Sequence, residues 1–271
     1  MLEMNRFAAV VALWCAVGIV GAENAQAATD YWLAGSDPAN ASSMNGTKGS
    51  ASTDKPAVGW SVTPAGTSKD ASSATSGNIY HIGTDSGGTA RLLRTPNGSS
   101  SYTFPGSIVM EGGSIAHKGA QNGTVTIPSL TCKSPYTNRI SIATGFATAG
   151  LNNAFNGTLW TIEAGAILNT TENSGGSAGL DYRDIKFSTK IVGAGMIQAA
   201  QSNANATEAN RAVITYNGDL SEFTGKVEGS NTTASNGGLT IRFTTATALT
   251  AGPSAFDAES VAILNLNSAV G

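Results

Sequence analysis

The chain has 271 residues, of which 33 are glycine and 12% are charged, and its formal net charge is -3. Ordinary soluble domains carry about 25% charged residues, so the polar surface of this protein must come from serine, threonine, asparagine and glutamine. The 15 Lys and Arg residues are scattered and form no basic stripe, which argues against nucleic acid as a partner.

The N-terminus predicts an exported protein. Arg6 precedes an uncharged apolar run from Phe7 to Ala22, and the small-residue pattern Ala25-Gln26-Ala27 follows. This arrangement is typical of a secretory signal peptide over residues 1–27, cleaved after Ala27. No later segment has the ~18 consecutive apolar residues of a spanning helix, so we expect no integral membrane helix in the mature chain.

Cysteine usage predicts a fold that does not depend on disulfides. Cys15 lies in the segment expected to be removed, which leaves Cys132 without an intramolecular partner. We interpret Cys132 as a small strand residue that faces the core. An intermolecular disulfide or a reactive thiol is the alternative.

Residues 28–76 are dense in Ser, Thr, Gly, Asn and Pro, with Trp32 and Trp60 as the large anchors. This composition predicts a polar N-terminal cap or partly disordered segment, and not a second domain. We expect Tyr31–Leu33 to form a first strand that closes the end of the fold, because a stack of repeats otherwise exposes an open edge.

Residues 77–271 change to short β segments separated by glycine and asparagine. Period-two alternation, as in Val125 and Ile127, places apolar side chains on one face of each segment. Residues 198–211 come nearest to a helical pattern, but their asparagines favour an exposed loop. The predicted strands are 79–82, 90–93, 101–104, 107–110, 123–127, 139–142, 158–162, 185–187, 212–216, 239–244 and 261–266.

A Phe-x-Gly unit, followed by a strand and a further glycine, occurs three times. The copies begin at Phe104, Phe155 and Phe223, 51 and then 68 residues apart. Many short strands without a βαβ rhythm leave sandwiches, barrels and solenoids, and the repeat favours a solenoid over the alternative β-sandwich. We expect the three phenylalanines to be buried at comparable corners of successive coils, with Gly225 allowing the chain to turn.

Four segments carry a family resemblance: Leu93–Pro96, Tyr102–Ser107, Gly112–Ile115 and Gly218–Val227, the last with the pattern Gly-Asp-x-Ser-x-Phe-x-Gly. Over roughly residues 77–271 the chain resembles the autotransporter-passenger-type β-strand repeats of surface proteins of Gram-negative bacteria. The resemblance implies a right-handed parallel β-helix displayed outside the cell, with no catalytic role. Because the chain ends at Gly271 without a translocator barrel or sorting tail, we expect either a truncated passenger or a different route of export and retention.

Local motifs predict no catalytic residue, no metal ligand and no cofactor. Ser177 lies in the letters of a nucleophile elbow, but it lacks the strand before it and the helix after it that an elbow needs. His81 and His117 have no partner at ligand spacing. We interpret His81 as a strand residue and His117 as a loop residue.

The densest charge cluster is Asp181-Tyr182-Arg183-Asp184. A solvated turn is the simpler interpretation, although carboxylates on a β-helix also suit a polysaccharide lyase or glycosidase. The sequence therefore predicts a secreted or cell-surface structural or adhesive protein without enzymatic activity, with host or bacterial surface glycans or proteins as partners. The alternatives are a polysaccharide-acting enzyme and a noncatalytic carbohydrate-binding module with Trp60, Trp160 or Tyr182 as exposed platforms.

Overall fold

Every regular element in the described part of the chain is a β-strand. The structure is a computed structural model that describes residues 28–34, 59–68, 70–71, 74–94, 101–117, 123–142, 151–172, 183–201, 212–231, 239–244, 255–258 and 262–266. The strands are β1 (Asp30–Ala34), β2 (Gly59–Ser61), β3 (Ile79–Ile82), β4 (Leu92–Arg94), β5 (Ser101–Thr103), β6 (Ser107–Met110), β7 (Ser114–His117), β8 (Thr124–Thr126), β9 (Ser129–Cys132), β10 (Thr137–Ile142), β11 (Leu151–Ile162), β12 (Ile167–Glu172), β13 (Arg183–Gly193), β14 (Met196–Gln201), β15 (Ala212–Tyr216), β16 (Lys226–Asn231), β17 (Leu239–Phe243), β18 (Ala255–Ala258) and β19 (Ala262–Leu266).

The strands stack in two sheets. The first runs β2, β1, β3, β6, β9, β11, β13, β15, β17, β19, with β5 and β8 beside this path, and the second runs β4, β7, β10, β12, β14, β16, β18. Among these strands only β1 and β2 pair antiparallel. All other neighbouring strands in the two sheets are parallel, and the residues that pair are far apart in sequence. This is a parallel β-helix, so the predicted all-β solenoid is confirmed and the β-sandwich is wrong. The right-handed sense stays a prediction.

One coil of the central part contains about thirty residues. Thr137 pairs with Ile167, Ile167 pairs with Met196, and Met196 pairs with Lys226 in the second sheet. Side chains that bond between neighbouring coils are accordingly 29 or 30 positions apart. The Phe-x-Gly intervals are not whole numbers of such coils.

The three Phe-x-Gly units therefore lie at different places in the coil. Their phenylalanines are all fully buried, as predicted. However, Phe155 lies inside β11, Phe104 precedes β6 of the first sheet, and Phe223 precedes β16 of the second sheet. The expectation of comparable corners is wrong, because similar local turns serve different junctions of the coil.

A column of aromatic rings runs through the core. Phe155, Phe187, Tyr216 and Phe243 are partners in register on β11, β13, β15 and β17. Successive ring centroids are 5.5 Å apart and the rings are nearly parallel. Stacked pairs add about 0.5–1.5 kcal/mol each beyond the burial of the rings, so the column ties neighbouring coils together.

The pairing of β11 with β13 shifts register between Asn156 and Leu159, an irregularity of the kind that bends a strand. Residues 154–156 of β11 pair with β8, whereas residues 159–162 pair with β9. The buried Trp160 indole donates a hydrogen bond from Nε1 to the Ile127 carbonyl at 3.0 Å. Trp160 thus gives the Ile127 carbonyl a hydrogen-bond donor at the place where the pairing of β11 with β13 is irregular.

The N-terminal segment closes one end of the stack. β1 pairs in parallel with β3 and antiparallel with β2, and Leu33 and Trp60 belong to the same core as the coils, so the strand predicted at Tyr31–Leu33 is present. The Arg91 guanidinium donates to the Leu33 carbonyl at 2.6 Å and to the Ala65 carbonyl at 2.7 Å. This nearly buried side chain fastens two parts of the cap to the first coil.

The second sheet corrects one strand prediction. Residues 198–201, expected to belong to an exposed loop, lie in β14; residues 202–211 lie outside the described ranges. The outward side chains of this sheet form an amide ladder, in which Asn169 donates to Gln198 at 2.7 Å and Gln198 donates to Glu228 at 3.2 Å. Strand β14 is held by these polar bonds and by the buried Ile197 and Ala199.

Candidate functional site

The outward side of the first sheet is the candidate functional surface. In β3, Tyr80 and Ile82 are buried, whereas Ile79 and His81 are partly exposed, and the same alternation recurs in β6 and β9. Parallel pairing brings equivalent residues of successive coils side by side. We call this surface the outer face. Its first row is Asp30, Ile79, Ser107, Ser129, Leu159 and Lys190, and its second row is Trp32, His81, Val109, Thr131, Thr161 and Val192.

The outer face is long and its rows are in register. It crosses six strands, β1, β3, β6, β9, β11 and β13, which at about 4.8 Å per strand gives a length of about 24 Å. Its middle is made of hydroxyl and methyl groups, from Ser129, Thr131 and Thr161 beside Val109 and Leu159. The Leu159 side chain is 40% exposed.

A histidine flanked by two carboxylates lies at the N-terminal end of the outer face. The His81 ring stacks on the Trp32 indole, with centroids 4.7 Å apart and an interplanar angle of 18°. His81 Nδ1 lies 3.3 Å from Glu111 Oε2, and Nε2 lies 3.7 Å from Asp30 Oδ1. The carboxylates contact different nitrogens of one ring, so the cluster links the cap, β3 and the end of β6.

The lysines on and beside the outer face, Lys190 and Lys133, are paired with carboxylates. Lys133 Nζ lies 2.6 Å from Glu163 Oε1, and Lys190 binds Glu222. The hydrogen bond from Lys133 lowers the pKa of Glu163, and the hydrogen bond to Glu222 raises the pKa of Lys190. Both pairs are largely exposed, so they contribute little to stability; their effect is to leave no strongly cationic patch on this surface.

The chain from Asn217 to Gly225 borders the C-terminal end of the outer face. The Asp219 carbonyl accepts the amide of Ile191 in β13 at 2.9 Å. The Asp219 carboxylate accepts a hydrogen bond from the backbone amide of Ser221 at 2.9 Å. The hydrogen bonds from the side chain and backbone of Ser221 lower the pKa of Asp219. The Gly-Asp-x-Ser-x-Phe-x-Gly segment is thus a self-bonded turn between coils that supports the adjacent strand.

Two predicted platforms are wrong. Trp60 and Trp160 are fully buried, because both rings fill the core, and neither can offer its face to a sugar. Tyr182, the third, lies outside the described residues, as do Ser177 and Asp181. Arg183 and Asp184 are the first residues of β13.

The histidine and cysteine predictions have mixed outcomes. His81 is a strand residue, as predicted. The prediction of His117 as a loop residue is wrong, since His117 ends β7 and is buried. Its ring centroid lies 6.2 Å from that of Phe155, in an edge-to-face arrangement. Cys132 is confirmed as a core-facing strand residue, and burial, helped by the nearby Glu163 charge, raises the pKa of its thiol, which keeps it protonated and unreactive.

Comparison with family models, with curated proteins and with solved structures gave no match. Within the described ranges, no cluster of three or more His, Cys, Asp or Glu side chains is arranged to hold a metal ion. In the same part of the chain, no helix is long and apolar enough to cross a membrane.

Sequence reasoning missed the cluster of Trp32, His81, Asp30 and Glu111. A signal for part of it exists, because Asp-Tyr-Trp-Leu in β1 and Ile-Tyr-His-Ile in β3 share one alternation. Aligning the two tyrosines places Trp32 beside His81, as the register shows. The 49-residue separation of the two strands hides this alignment.

Proposed function

We propose that this protein is a secreted or cell-surface structural or adhesive protein, exported by its N-terminal signal segment and similar to an autotransporter passenger. The outer face is the observation that carries the proposal. It is a regular surface about 24 Å long, on a scaffold whose neighbouring coils are joined by continuous backbone ladders and by the aromatic column. Such a scaffold holds many weak contacts at fixed spacing, which favours adhesion to a repetitive partner.

Adhesion is tested with the mature segment, residues 28–271, coupled to beads. The beads should bind to bacterial cells or cultured epithelial cells well above beads that carry an unrelated protein. Leu159→Glu, in the middle of the outer face, should reduce this binding. Val62→Glu is the matched control, because Val62 is also an exposed large apolar side chain, at 50%, and lies outside the outer face.

One outcome would contradict the adhesive role, and a second would contradict the part assigned to the outer face. One is binding no higher than that of the unrelated protein on every cell type. The other is equal loss of binding in both variants, which would mean that adhesion does not involve the outer face. Export is measured separately, as the fraction of the full chain found outside the cytoplasm of a Gram-negative host with and without residues 1–27.

Enzymatic action on polysaccharides stays the runner-up prediction. It rests on the charge cluster of Asp181 and Asp184, of which only Asp184 lies in the described residues. Turnover of a polysaccharide by the mature segment, lost on changing Asp181 or Asp184 to asparagine or alanine, would replace the adhesive proposal with this one.

A further inference from the structure

We propose that the outer face binds a linear, uncharged polysaccharide whose chain lies along the solenoid axis, across the strands. The inference rests on the proposed adhesive function and names the ligand class and the binding surface. Three properties of the face lead to it: the spacing of its hydroxyl groups, its exposed methyl groups, and the pairing of its charges.

The hydroxyl groups repeat once per coil. Ser107 is in register with Ser129, and Thr131 is in register with Thr161, so each pair is about 4.8 Å apart along the axis. An extended β-linked hexose chain advances by nearly the same interval per sugar and turns each successive sugar over, so hydroxyls from alternate ring edges face the surface. Successive sugars can therefore each donate or accept a hydrogen bond at successive coils, through different hydroxyls in alternation.

The methyl groups fit the other surface of a sugar. Pyranose rings have faces of C–H groups that pack against apolar side chains while the hydroxyls at the ring edge bond to polar groups. Val109 and Val192 flank the two threonines in the second row, Leu159 lies in the first row on the same strand as Thr161, and all three apolar side chains are at least partly exposed. Leu159 is the most exposed of them at 40%.

The charges favour an uncharged ligand. Lys133 and Lys190 are engaged by Glu163 and Glu222, and the carboxylates Asp30 and Glu111 add negative charge around His81. An acidic glycan would face a slightly negative surface. Lys133 and Lys190 would not be available to it, because each is already paired with a carboxylate. Charge complementarity thus selects a neutral chain over a uronate or sulfated polymer.

The geometry also limits the length of the bound chain. The face crosses six strands, so about five or six sugars can be held in register. Because each coil adds a similar weak contact, affinity should rise with chain length and level off near that number. A compact pocket for a chain end would instead give an affinity that does not depend on length.

The test uses the mature segment, residues 28–271, and measures affinity by calorimetry and by affinity electrophoresis. The neutral probes are β-1,4-linked glucose oligomers of two to six sugars, soluble hydroxyethyl cellulose, xylan and mannan, and the acidic probes are alginate and polygalacturonate. We expect binding to at least one neutral polymer and none to the acidic ones. Binding to the acidic polymers alone, or to no polymer, would overturn the assignment.

Paired valine substitutions locate the site. Thr131→Val with Thr161→Val removes two hydroxyls of the outer face and keeps the shape of the side chains, and should weaken binding at least about 10-fold. Thr103→Val with Thr126→Val is the matched control, because these threonines are also in register and point outward but lie on β5 and β8. Equal effects of the two pairs, or no effect of the first, would refute the assignment, provided that circular dichroism and Tm show both proteins folded.

The ligand assignment and the adhesive function fail in different ways. If beads adhere to cells and no neutral polymer competes, the adhesive function stands and the ligand assignment is wrong. If a neutral polymer binds at the outer face and beads adhere to no cell, the ligand assignment stands and the adhesive function is wrong.

Discussion

The glycine positions at which coils touch provide the sharpest test of the stacking. At Gly225 an added Cβ would lie 1.8 Å from the Gly195 carbonyl oxygen and 2.7 Å from the Phe223 ring. The oxygen belongs to the neighbouring coil and accepts the amide of Lys226 at 3.1 Å. The Gly195 oxygen cannot move away without opening the hydrogen-bond ladder between β14 and β16, so the absence of a side chain at Gly225 lets the two coils approach closely. The backbone of Gly225 is not in the left-handed region.

The size of the effect follows from two opposing terms. Forcing a methyl group into a packed interior costs about 1–3 kcal/mol, and more where backbone must shift. Replacing glycine with alanine restricts the unfolded chain and returns about 0.4–1 kcal/mol. Gly225→Ala should therefore destabilise the segment of residues 28–271 by about 2 kcal/mol or more, which for a chain of this size lowers Tm by at least about 4–8 °C.

Gly83→Ala is the matched control. The nearest atoms to a Cβ at Gly83 are the Glu111 carbonyl oxygen at 3.5 Å and the Glu111 Cβ at 3.8 Å, which is ordinary contact. For Gly83→Ala only the lower conformational entropy of the unfolded chain then remains, and we expect the free energy of unfolding to rise by about 0.4–1 kcal/mol. Urea unfolding of both variants measures the two changes from the midpoints at equal slope. If Gly225→Ala leaves the midpoint unchanged or raises it, the close approach of the coils is wrong.

The other predictions concern the irregular strand pairing, the cap and the core phenol. Trp160→Phe should cost about 1–3 kcal/mol, because the Ile127 carbonyl loses its indole donor; urea midpoints equal to wild type would show that water or another donor replaces it. Arg91→Met should leave the coils folded but release the cap, so that limited proteolysis cuts before residue 77 much faster than in the wild type; unchanged cleavage there would contradict the role of the guanidinium. Burial raises the pKa of the Tyr216 hydroxyl above its usual value of 10.0, so its contribution to stability is complete below about pH 10 and falls by about 1.4 kcal/mol per pH unit above it. Tyr216→Phe should flatten this alkaline loss, and equal slopes for both proteins between pH 10 and 11 would refute it.

Most strands of the first sheet could be predicted from the sequence, although β2 and β9 were missed, and several strands of the second could not. Ile79–Ile82, Ser107–Met110 and Ala212–Tyr216 have the predicted bounds, because each has two or more large apolar residues in alternation. In β14 the inward positions are Ile197 and Ala199, while Gln198 points the other way and bonds to Asn169 and Glu228. A strand held by one large apolar side chain and an amide ladder gives too weak an alternation to detect.

The fold class was predictable although part of the reasoning for it was wrong. The Phe-x-Gly unit indicated repetition, and the protein is repetitive, but the repeat belongs to the coil and not to that unit. Phe223 and Phe104 are buried because each closes a turn between strands, in different sheets. A short motif reports the local turn, whereas the coil is defined by pairing partners about thirty positions away, which differ in sequence from one coil to the next.

The outer face depends on register, and register is what the sequence leaves undetermined. Period two predicts that His81, Thr131 and Thr161 point away from the core, but it does not say which residue of the next coil lies beside each of them. That depends on the length of every intervening segment, and these lengths vary: Asp30 pairs with Ile79, Ile79 with Ser107, and Ser107 with Ser129. The variation is compatible with rows in register because extra residues extend the connections and leave the strands unchanged. A surface that repeats in space can therefore arise from a sequence that does not repeat at a fixed interval, and its binding properties have to be inferred from the pairing of the strands.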